Sequence, residues 1–208
     1  AAPRYRAGSV HMKIHRVGDR ALLVDLDDTR DVAGHHAGWA AGHAGIAELV
    51  PAATTVLAVL TDDADPEAVA RWLRSTPPAD PSDTSSDLVT LDVVYDGPDL
   101  EAVRDATGRD VVADHTGNVW TAAFCGFSPG FAYLVSDLAL DVPRRRDPRT
   151  SVPAGSVALA GNYSAVYPSS SPGGWQLIGR TDAALWSVDR DPPALIVPGT
   201  RVQFRQVG

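Results

Sequence analysis

Glycine, proline, aromatic residues and arginine are concentrated between Cys125 and Thr181, and this composition limits what the segment can fold into. Glycine permits positive φ angles and a close approach of the backbone, whereas proline fixes φ and removes an N–H donor. Chains of this kind form shaped, rigid loops between short strands, and binding residues commonly lie on such loops. The segment therefore predicts a binding site that is distributed over several loops.

The apolar runs in the C-terminal half of the chain are short and are bounded by glycine or proline. They read VWTAAF, SVALAG, WQLIG, ALIV and RVQF. Short strands separated by turn signals predict a compact β-barrel or sandwich. Before them, residues 88–95 alternate as a half-buried strand does, and a helix is expected at about residues 99–107, closed by Gly108.

The N-terminal half has a different pattern. Apolar runs at residues 20–26 and 54–60 predict strands, and the alanine-rich segment from Thr29 to about Leu49 predicts a helix. A second helix is expected after Asp65, which can cap it, with Pro66 at its first position. Strands that alternate with helices in so short a span indicate a small α/β layer.

A proline- and serine-rich stretch, TPPADPSDTSSD, separates the two halves at residues 76–87. Such a composition cannot bury apolar area and is typical of a linker. We therefore expect an α+β protein with a small α/β domain over residues 12–75 and a β-barrel domain over residues 88–208. Residues 1–11 precede the single methionine, Met12, and are interpreted as a remnant of an expression tag.

Composition excludes several classes of protein. The net charge of −8 argues against a nucleic-acid partner, because phosphate binding needs a clustered positive surface. No apolar run is long enough to span a membrane, and no signal peptide is recognised. A single cysteine, Cys125, cannot form an internal disulfide. We expect a cytoplasmic protein without membrane attachment.

Spaced blocks of this sequence resemble, in the same order, the family of the 5-oxoprolinase B subunit, long labelled allophanate hydrolase subunit 1. This family is built on subdomains C and D of the carboxyltransferase domain and also contains inhibitors of a sporulation kinase. The blocks are GFSPGFAYL (126–134), PRR (143–145), PRT (148–150), VPAGSV (152–157), YP (167–168) and SPGGWQLIGRT (171–181). Two positions depart from the family pattern, since Thr200 follows Pro198-Gly199 and Ser164-Ala165 precedes Tyr167.

The resemblance implies a ferredoxin-like N-terminal domain, a cyclophilin-like C-terminal barrel and an ATP-dependent amidohydrolase. Its reaction would convert 5-oxoproline, ATP and water to glutamate, ADP and phosphate, with magnesium accompanying the ATP. The older family label implies a urea-derived substrate as an alternative. The work would be divided between this chain and a larger companion subunit, and no biotin would be attached here.

The residues expected to bind substrate or nucleotide lie in these blocks: Tyr133, Arg149, Ser156, Tyr167, Gly173, Gly174 and Trp175. Arginine's planar fork suits carboxylate and phosphate oxygens, and the Gly173-Gly174 pair lets a ligand approach the main chain. The alternatives are a solvated charge run at residues 144–149, a tight turn before a core tryptophan, and buried tyrosines bonded to backbone.

No catalytic residue is identified from the sequence. Ser128 matches the G-x-S-x-G pattern of serine hydrolases, but Pro129 lacks the N–H that their oxyanion hole requires. His115 is either a general base or a structural histidine at a helix end, and Cys125 is expected to be a small buried hydrophobe. No metal site is predicted, because histidines 35, 36 and 43 lack a supporting cysteine or His-Glu pattern.

Two further functional hypotheses stand beside the amidohydrolase. One is a regulatory binding protein that inhibits a sensor histidine kinase, and the other, from fold analogy alone, is a prolyl isomerase. The chain has no phosphate-binding loop, and its only lysine is Lys13. It also shows no set of nucleophile, base and orienting residue. We therefore expect it to act as one part of a heteromer.

Overall fold

Residues 21–25 and 55–60 alternate between buried and partly buried positions, as strands of a sheet with one face on a core do. The structure is a computed structural model that describes residues 11–79, 88–138 and 140–208. The chain divides into two compact units, Ala1–Ser85 and Ser86–Gly208. The expected linker at residues 76–87 and the expected tag remnant at residues 1–11 lie mostly outside the described residues, so both stay predictions.

The elements of the first unit follow one another as β1 (Lys13–Val17), β2 (Ala21–Asp25), α1 (Thr29–Trp39), β3 (Ile46–Pro51), β4 (Thr55–Leu60) and α2 (Pro66–Ser75). Its strands form one antiparallel sheet in the order β1-β2-β4-β3. A ferredoxin-like unit runs β-α-β-β-α-β, whereas two strands precede each helix here. The α/β layer is present, and the ferredoxin-like arrangement is not confirmed.

Helix α1 corrects one expectation. It ends at Trp39 rather than near Leu49, and residues 46–51 form strand β3 instead. The chain turns at Gly42, whose φ of +81° favours glycine, and β3 then pairs with β4. Helix α2 forms as expected, and the Asp65 side chain accepts a hydrogen bond from the Glu67 N–H at 3.0 Å.

The second unit contains nine strands and two helices among the described residues. They are β5 (Leu88–Val93), α3 (Leu100–Thr107), α4 (Val111–Gly117), β6 (Val119–Cys125), β7 (Ala132–Val135), β8 (Arg149–Val152), β9 (Ser156–Ala160), β10 (Tyr163–Val166), β11 (Ser171–Gly173), β12 (Gln176–Arg180) and β13 (Arg201–Gln206). Seven strands form one sheet in the order β12-β9-β10-β7-β6-β13-β5, and strands β8 and β11 form a separate two-stranded sheet.

The two edge strands of the large sheet meet just beyond their ends. Val94 follows β5 and exchanges two hydrogen bonds of 2.9 Å with Arg180 at the end of β12. This contact nearly closes the sheet into a barrel, because a sheet has edges only where strands lack a neighbour. The second unit therefore contains a nearly closed, barrel-like sheet of seven strands, in agreement with the expected barrel architecture. The run ALIV at residues 194–197 contributes only one bridge, Ala194 to Trp186, and is not a strand.

Each unit has its own hydrophobic core. The core of the second unit contains Trp120, Leu134, Leu159, Ile178 and Phe204 and is covered by helices α3 and α4. Gly108 ends α3 with a φ of +64°, as its position after the helix predicts. No helix within the described ranges combines the length and the apolar character needed to cross a bilayer.

Candidate functional site

A second group of buried side chains lies on the opposite face of the barrel sheet. Side chains alternate between the two faces of a strand, so Val157 and Leu159 of β9 enter the core, while Ala158 and Ala160 point to the other face. We call the rings on that face the aromatic cluster: Phe131, Tyr133, Tyr163, Tyr167 and Trp175. Small alanines beneath large rings leave room for the rings to pack onto the sheet.

The rings of the aromatic cluster meet edge to face. The Phe131 ring centroid lies 5.3 Å from that of Tyr167 and 5.6 Å from that of Trp175, and the Tyr133 centroid lies 5.5 Å from that of Trp175. Such T-shaped contacts are favourable because the positive edge of one ring meets the negative face of another. The cluster therefore forms a rigid apolar wall.

The two-stranded sheet of β8 and β11 brings Arg149 and Gly173 to this wall. These two residues pair across the two-stranded sheet, and a Cβ on residue 173 would collide with the Tyr167 hydroxyl. Glycine is required here because the tyrosine hydroxyl occupies the space of a side chain. The same hydroxyl is hydrogen bonded to the backbone of Trp175. Gly173 and Trp175 thus fix the position of the phenol.

Asp99 anchors the arginines next to the cluster. Its carboxylate is only 5% exposed and accepts hydrogen bonds from Arg145 Nη1 at 2.9 Å, Arg149 Nη2 at 2.8 Å and the Leu177 N–H at 2.7 Å. Burial by itself would raise the pKa of Asp99, but these hydrogen bonds and the two positive charges outweigh it and hold the pKa below its usual value. Asp99 is therefore a carboxylate at neutral pH.

The charges around the site do not balance. Arg144 acts electrostatically on both Tyr133 and Tyr167, so three guanidinium groups, those of Arg144, Arg145 and Arg149, surround the site. Two of these arginines, Arg145 and Arg149, share the single carboxylate of Asp99 as their ion-pair partner. Arg149 Nη1 is buried and has no hydrogen-bond partner among the described residues. This arrangement suits an anionic ligand.

The two tyrosines supply neutral hydroxyls. Burial raises the pKa of Tyr133, and the charge of Arg144 offsets this only partly. Burial likewise raises the pKa of Tyr167. Both phenols are therefore protonated at neutral pH, and each hydroxyl can donate a hydrogen bond. The site combines arginine charges with neutral donors on an apolar wall.

A strained turn borders the aromatic cluster. Phe127 has a φ of +71°, and the Ser128 N–H donates to the Gly126 carbonyl at 2.9 Å, which makes a γ-turn centred on Phe127. The Phe127 ring is 61% exposed, yet its centroid lies 5.2 Å from that of Phe131. A positive φ is costly for a large side chain, and such strained residues cluster at ligand and active sites.

The structure brings most of the predicted site residues together. Tyr133, Tyr167 and Trp175 belong to the cluster, Arg149 and Gly173 lie beside it, and the Gly174 carbonyl accepts a hydrogen bond from the Arg145 N–H at 2.8 Å. Ser156, also expected to bind substrate or nucleotide, donates its Oγ proton to the Pro153 carbonyl at 2.8 Å. The hydroxyl is thus used in the local turn.

Sequence reasoning missed Asp99 and Phe127. Asp99 directly precedes helix α3, where an acidic residue is expected to stabilise the helix N-terminus. Its side chain makes no such bond and reaches the arginine loop instead. Nothing local to the sequence distinguishes these two roles. For Phe127 a weak signal exists, namely its place between Gly126 and Ser128-Pro129, a combination typical of tight turns.

His115 is structural and cannot act as a general base at a surface site. It is fully buried, its Nδ1 lies 2.6 Å from the Tyr95 hydroxyl, and its Nε2 lies 2.7 Å from Ser164 Oγ. The ring stacks on Phe204, with the two centroids 4.0 Å apart. Both ring nitrogens are therefore satisfied, and the unusual Ser164 supplies one of the partners. Burial lowers the pKa of His115 to about 3.

This histidine predicts how stability depends on pH. Its folded pKa of about 3 lies below the ordinary value of 6.5, so the unfolded chain binds the extra proton first. Stability is full above pH 6.5 and falls as the pH drops toward 3, by up to about 1.4 kcal/mol per pH unit. We expect the free energy of unfolding in urea to depend more steeply on pH for the natural chain than for His115→Gln. The same pH dependence of the free energy of unfolding in both proteins would contradict the prediction, as would an NMR signal of the His115 ring that titrates near pH 6.

Cys125, His35 and His43 are packed against neighbouring groups of the fold. Burial raises the pKa of the Cys125 thiol to about 11, and its Sγ donates to the Ile196 carbonyl at 3.6 Å. His35 packs against Trp39 with the ring centroids 5.1 Å apart. His43 lies on Trp72, and its Nδ1 accepts a hydrogen bond from the Gly45 N–H.

Comparison with known proteins agrees with this architecture. The model of the family "carboxyltransferase domain, subdomain C and D" matches residues 12–196. The 5-oxoprolinase B subunit of Escherichia coli O157:H7 is 33% identical over 92% of this chain and 94% of its own length. The 5-oxoprolinase B subunit of Bacillus subtilis is 40% identical over 58% of this chain and 53% of its own length. A urea amidolyase of Saccharomyces cerevisiae is 32% identical over 43% of this chain and 6% of its own length.

Two crystal structures share the fold. That of TTHA0988 superimposes with a TM-score of 0.73 and 30% identity, and the match covers 91% of this chain and 40% of that chain. The Kluyveromyces lactis urea carboxylase reaches a TM-score of 0.69 at 18% identity, which shows a common fold alone, and 22% of that chain is covered. Together with the family model, these matches show that the chain belongs to the family of the 5-oxoprolinase B subunit, which is built on subdomains C and D of the carboxyltransferase domain.

Proposed function

We propose that this chain is a subunit of an ATP-dependent amidohydrolase, and that the enzyme is a 5-oxoprolinase located in the cytoplasm. Its reaction converts 5-oxoproline, ATP and water to glutamate, ADP and phosphate. The names of the relatives support the enzyme class and the division into subunits. The observation that carries the proposal is the buried Arg149 Nη1, which has no hydrogen-bond partner among the described residues, next to Arg145, with which Arg149 shares the Asp99 carboxylate.

The chemistry of the site fits this reaction. A ring amide such as that of 5-oxoproline is inert because its nitrogen donates electrons to the carbonyl. Phosphorylation of the carbonyl oxygen would turn that oxygen into part of a leaving group, and the phosphoryl oxygens carry negative charge throughout. Arg149 Nη1 and Arg144 can bind either the substrate carboxylate or phosphoryl oxygens, while neutral Tyr133 and Tyr167 can donate to a carbonyl.

Magnesium is part of the proposed reaction but not of this site. Within residues 11–79, 88–138 and 140–208, no group of three or more histidine, cysteine or acidic side chains is arranged to hold a metal ion. The arginines of this chain fit an anionic group, and they bind or orient it without a cation of their own.

A companion subunit completes the enzyme in this proposal. Two large apolar side chains near the site are exposed, Phe127 at 61% and Trp186 at 42%. Gly130 lies close to both side chains. A Cβ added at Gly130 would lie 2.9 Å from the Trp186 Cβ, and the next residue, Phe131, packs against the Phe127 ring. Exposed apolar surface of this kind is typical of protein contacts. A permanent interface here would bury on the order of 2,000 Å² or more.

We expect the purified chain alone to show no 5-oxoproline-dependent ATP hydrolysis. Co-purified with the companion subunit, it is expected to give turnover at least about 100-fold above that background, since a complete constellation of binding groups is worth several factors of ten. The measurement is ADP release with 5-oxoproline, with a urea-derived amide, and without substrate. Robust turnover by the monodisperse single chain would refute the heteromer. Turnover of the urea-derived amide alone would change the assigned substrate.

A further inference from the structure

Asp99 occupies the N-cap position of helix α3 but does not cap the helix. Its side chain makes no hydrogen bond to the first turn, although a capping aspartate is worth about 1 kcal/mol. The aspartates that precede the other three helices of the described chain, Asp28, Asp65 and Asp110, each accept a hydrogen bond from a backbone N–H of the first turn. The Asp99 carboxylate is therefore directed away from its own helix.

The backbone around Asp99 is held against strand β12. The Asp99 N–H donates to the Leu177 carbonyl at 3.0 Å, and the Gly97 N–H donates to the Ile178 carbonyl at 3.2 Å. A Cβ added at Gly97 would collide with the Leu177 carbonyl, so the loop lies directly on the strand. The Leu177 N–H in turn donates to Asp99 Oδ2 at 2.7 Å. The carboxylate is thus fixed both through its backbone and through one of its two oxygens.

The other oxygen of this carboxylate accepts from two guanidinium groups. Arg145 Nη1 lies 2.9 Å and Arg149 Nη2 lies 2.8 Å from Asp99 Oδ1. Two positive groups at one oxygen repel each other, so the negative charge of Asp99 is needed to hold them there. The Asp99 side chain is only 6% exposed, so water screens these pairs less than it screens pairs on the surface. Asp99 therefore ties both arginines to a fixed point of the barrel.

The bond to Asp99 uses one arm of the Arg149 fork. A guanidinium group is planar and rigid, so a hydrogen bond at Nη2 also fixes the direction in which Nη1 points. Nη1 is buried and has no hydrogen-bond partner among the described residues. The second arm is therefore held in one orientation before an anion binds. Preorganised donors of this kind need no rearrangement during the reaction.

We propose that Asp99 is a positioning residue for the reaction, because its carboxylate holds Arg149 in the orientation in which Nη1 meets an anionic group of the substrate or the nucleotide. This inference rests on the proposed function for its kinetic test. Asp99 itself does not touch the ligand, since both of its oxygens are engaged by groups of the protein. The missing cap of helix α3 has the same explanation, because the carboxylate holds the arginines instead of the helix.

Asp99→Asn is the main test variant, because it keeps the size of the side chain and removes the charge. We expect kcat/KM for 5-oxoproline-dependent ATP turnover by the complex with the companion subunit to fall about 10-fold or more, since a small displacement of a positioned group costs up to about 100-fold. Rates are expressed per amount of folded protein, measured by circular dichroism. Asp105→Ala is the matched control, since Asp105 is exposed on the same helix, and should turn over as the natural chain does.

A double-substitution cycle tests whether Asp99 acts through Arg149. In an Arg149→Ala background the carboxylate has no fork to orient, so Asp99→Asn is expected to lower kcat/KM further by less than about threefold. The two single variants are also expected to change the same kinetic parameter, kcat or KM. Losses that multiply in the double variant, or unchanged turnover of Asp99→Asn, would overturn the proposal.

Asp99→Glu covers the case in which the neutral variant fails to fold. It keeps the negative charge for Arg145 and Arg149 and displaces that charge by one methylene group. We expect folded protein whose turnover is at least about fivefold below that of the natural chain, because the orientation of the fork is lost while the charge remains. Natural turnover by this variant would show that a nearby charge is sufficient, which contradicts a positioning role.

NMR of the isotope-labelled chain separates this inference from the proposed function. The guanidinium signals of Arg149 are identified by their absence from Arg149→Lys. Restricted rotation is expected to give separate Nη signals in the natural chain and in Asp105→Ala, and these signals should merge in Asp99→Asn. If this difference is seen without any turnover of 5-oxoproline, the substrate assignment falls and Asp99 still orients Arg149. If 5-oxoproline is turned over and the Arg149 signals are the same in all variants, the role of Asp99 falls and the enzyme assignment stands.

Discussion

Replacement of Asp99 by alanine is expected to lower the free energy of unfolding of the barrel unit by about 3 kcal/mol. The substitution leaves Arg145, Arg149 and the Leu177 N–H without their shared acceptor. Removing one partner of a buried ion pair leaves the opposite charge buried without a partner, which costs about 3–5 kcal/mol when water is excluded from the site. The lower end applies because both arginine side chains keep some contact with water.

Urea denaturation of Asp99→Ala tests this expectation against a matched control. Asp105 lies on the same helix α3, is exposed, and its replacement by alanine should change the free energy of unfolding by less than about 0.5 kcal/mol. Asp99→Asn should lie between the two, since it keeps an acceptor oxygen and loses the charge. Equal stability of the Asp99 and Asp105 variants would show that the arginines do not depend on this carboxylate.

Arg149→Ala is expected to reduce 5-oxoproline-dependent ATP turnover of the complex by about 100-fold or more, comparable to the loss of one preorganised donor to a developing charge. Arg149→Ala should lower the free energy of unfolding by less than Asp99→Ala does. When Arg149 is removed, Asp99 still accepts hydrogen bonds from Arg145 and from the Leu177 N–H. The substitution therefore leaves no buried charge without a partner. Turnover and unfolding are therefore expected to respond differently to this one substitution.

Two companion variants sharpen the test of Arg149. Arg149→Lys should rescue turnover poorly, because an ammonium cannot contact Asp99 and a ligand in the geometry of a planar fork. Arg146→Ala is the matched control, since Arg146 is exposed and lies on the loop that leads into strand β8, and its turnover should match that of the natural chain. If the turnover of Arg149→Ala merely follows the loss of folded protein, Arg149 is a structural residue.

Local elements of this fold were predictable from the sequence where local chemistry decides them. Asp65 and Pro66 begin helix α2, and Gly108 ends helix α3, because caps act on the backbone next to them. The predicted extension of helix α1 to about Leu49 was wrong because pairing with another strand, and not local chemistry, decides the structure of this segment. Residues 46–51 pair with β4, and a sheet partner outweighs a weak helix propensity.

The candidate site was predictable as a set of loops but not as a set of contacts. The blocks around Tyr133, Arg149 and Gly173 were identified from their resemblance to a known family and from their content of glycine, proline and arginine. The partners of Ser156 and His115 were not, since a hydroxyl or an imidazole bonds to whichever group the fold brings near it. The packing of the aromatic cluster likewise depends on which face of the sheet each ring occupies.

The sequence by itself determined most of the strands and helices, the arginine-rich loop and the family blocks, because these depend on neighbours along the chain. Only the tertiary structure decided that Asp99 receives Arg145 and Arg149, which lie 46 and 50 residues away. It also decided that Arg149 Nη1 and Ser128 Oγ are buried without partners among the described residues. Burial and charge balance are properties of atoms brought together by closure of the barrel, and no local pattern encodes them.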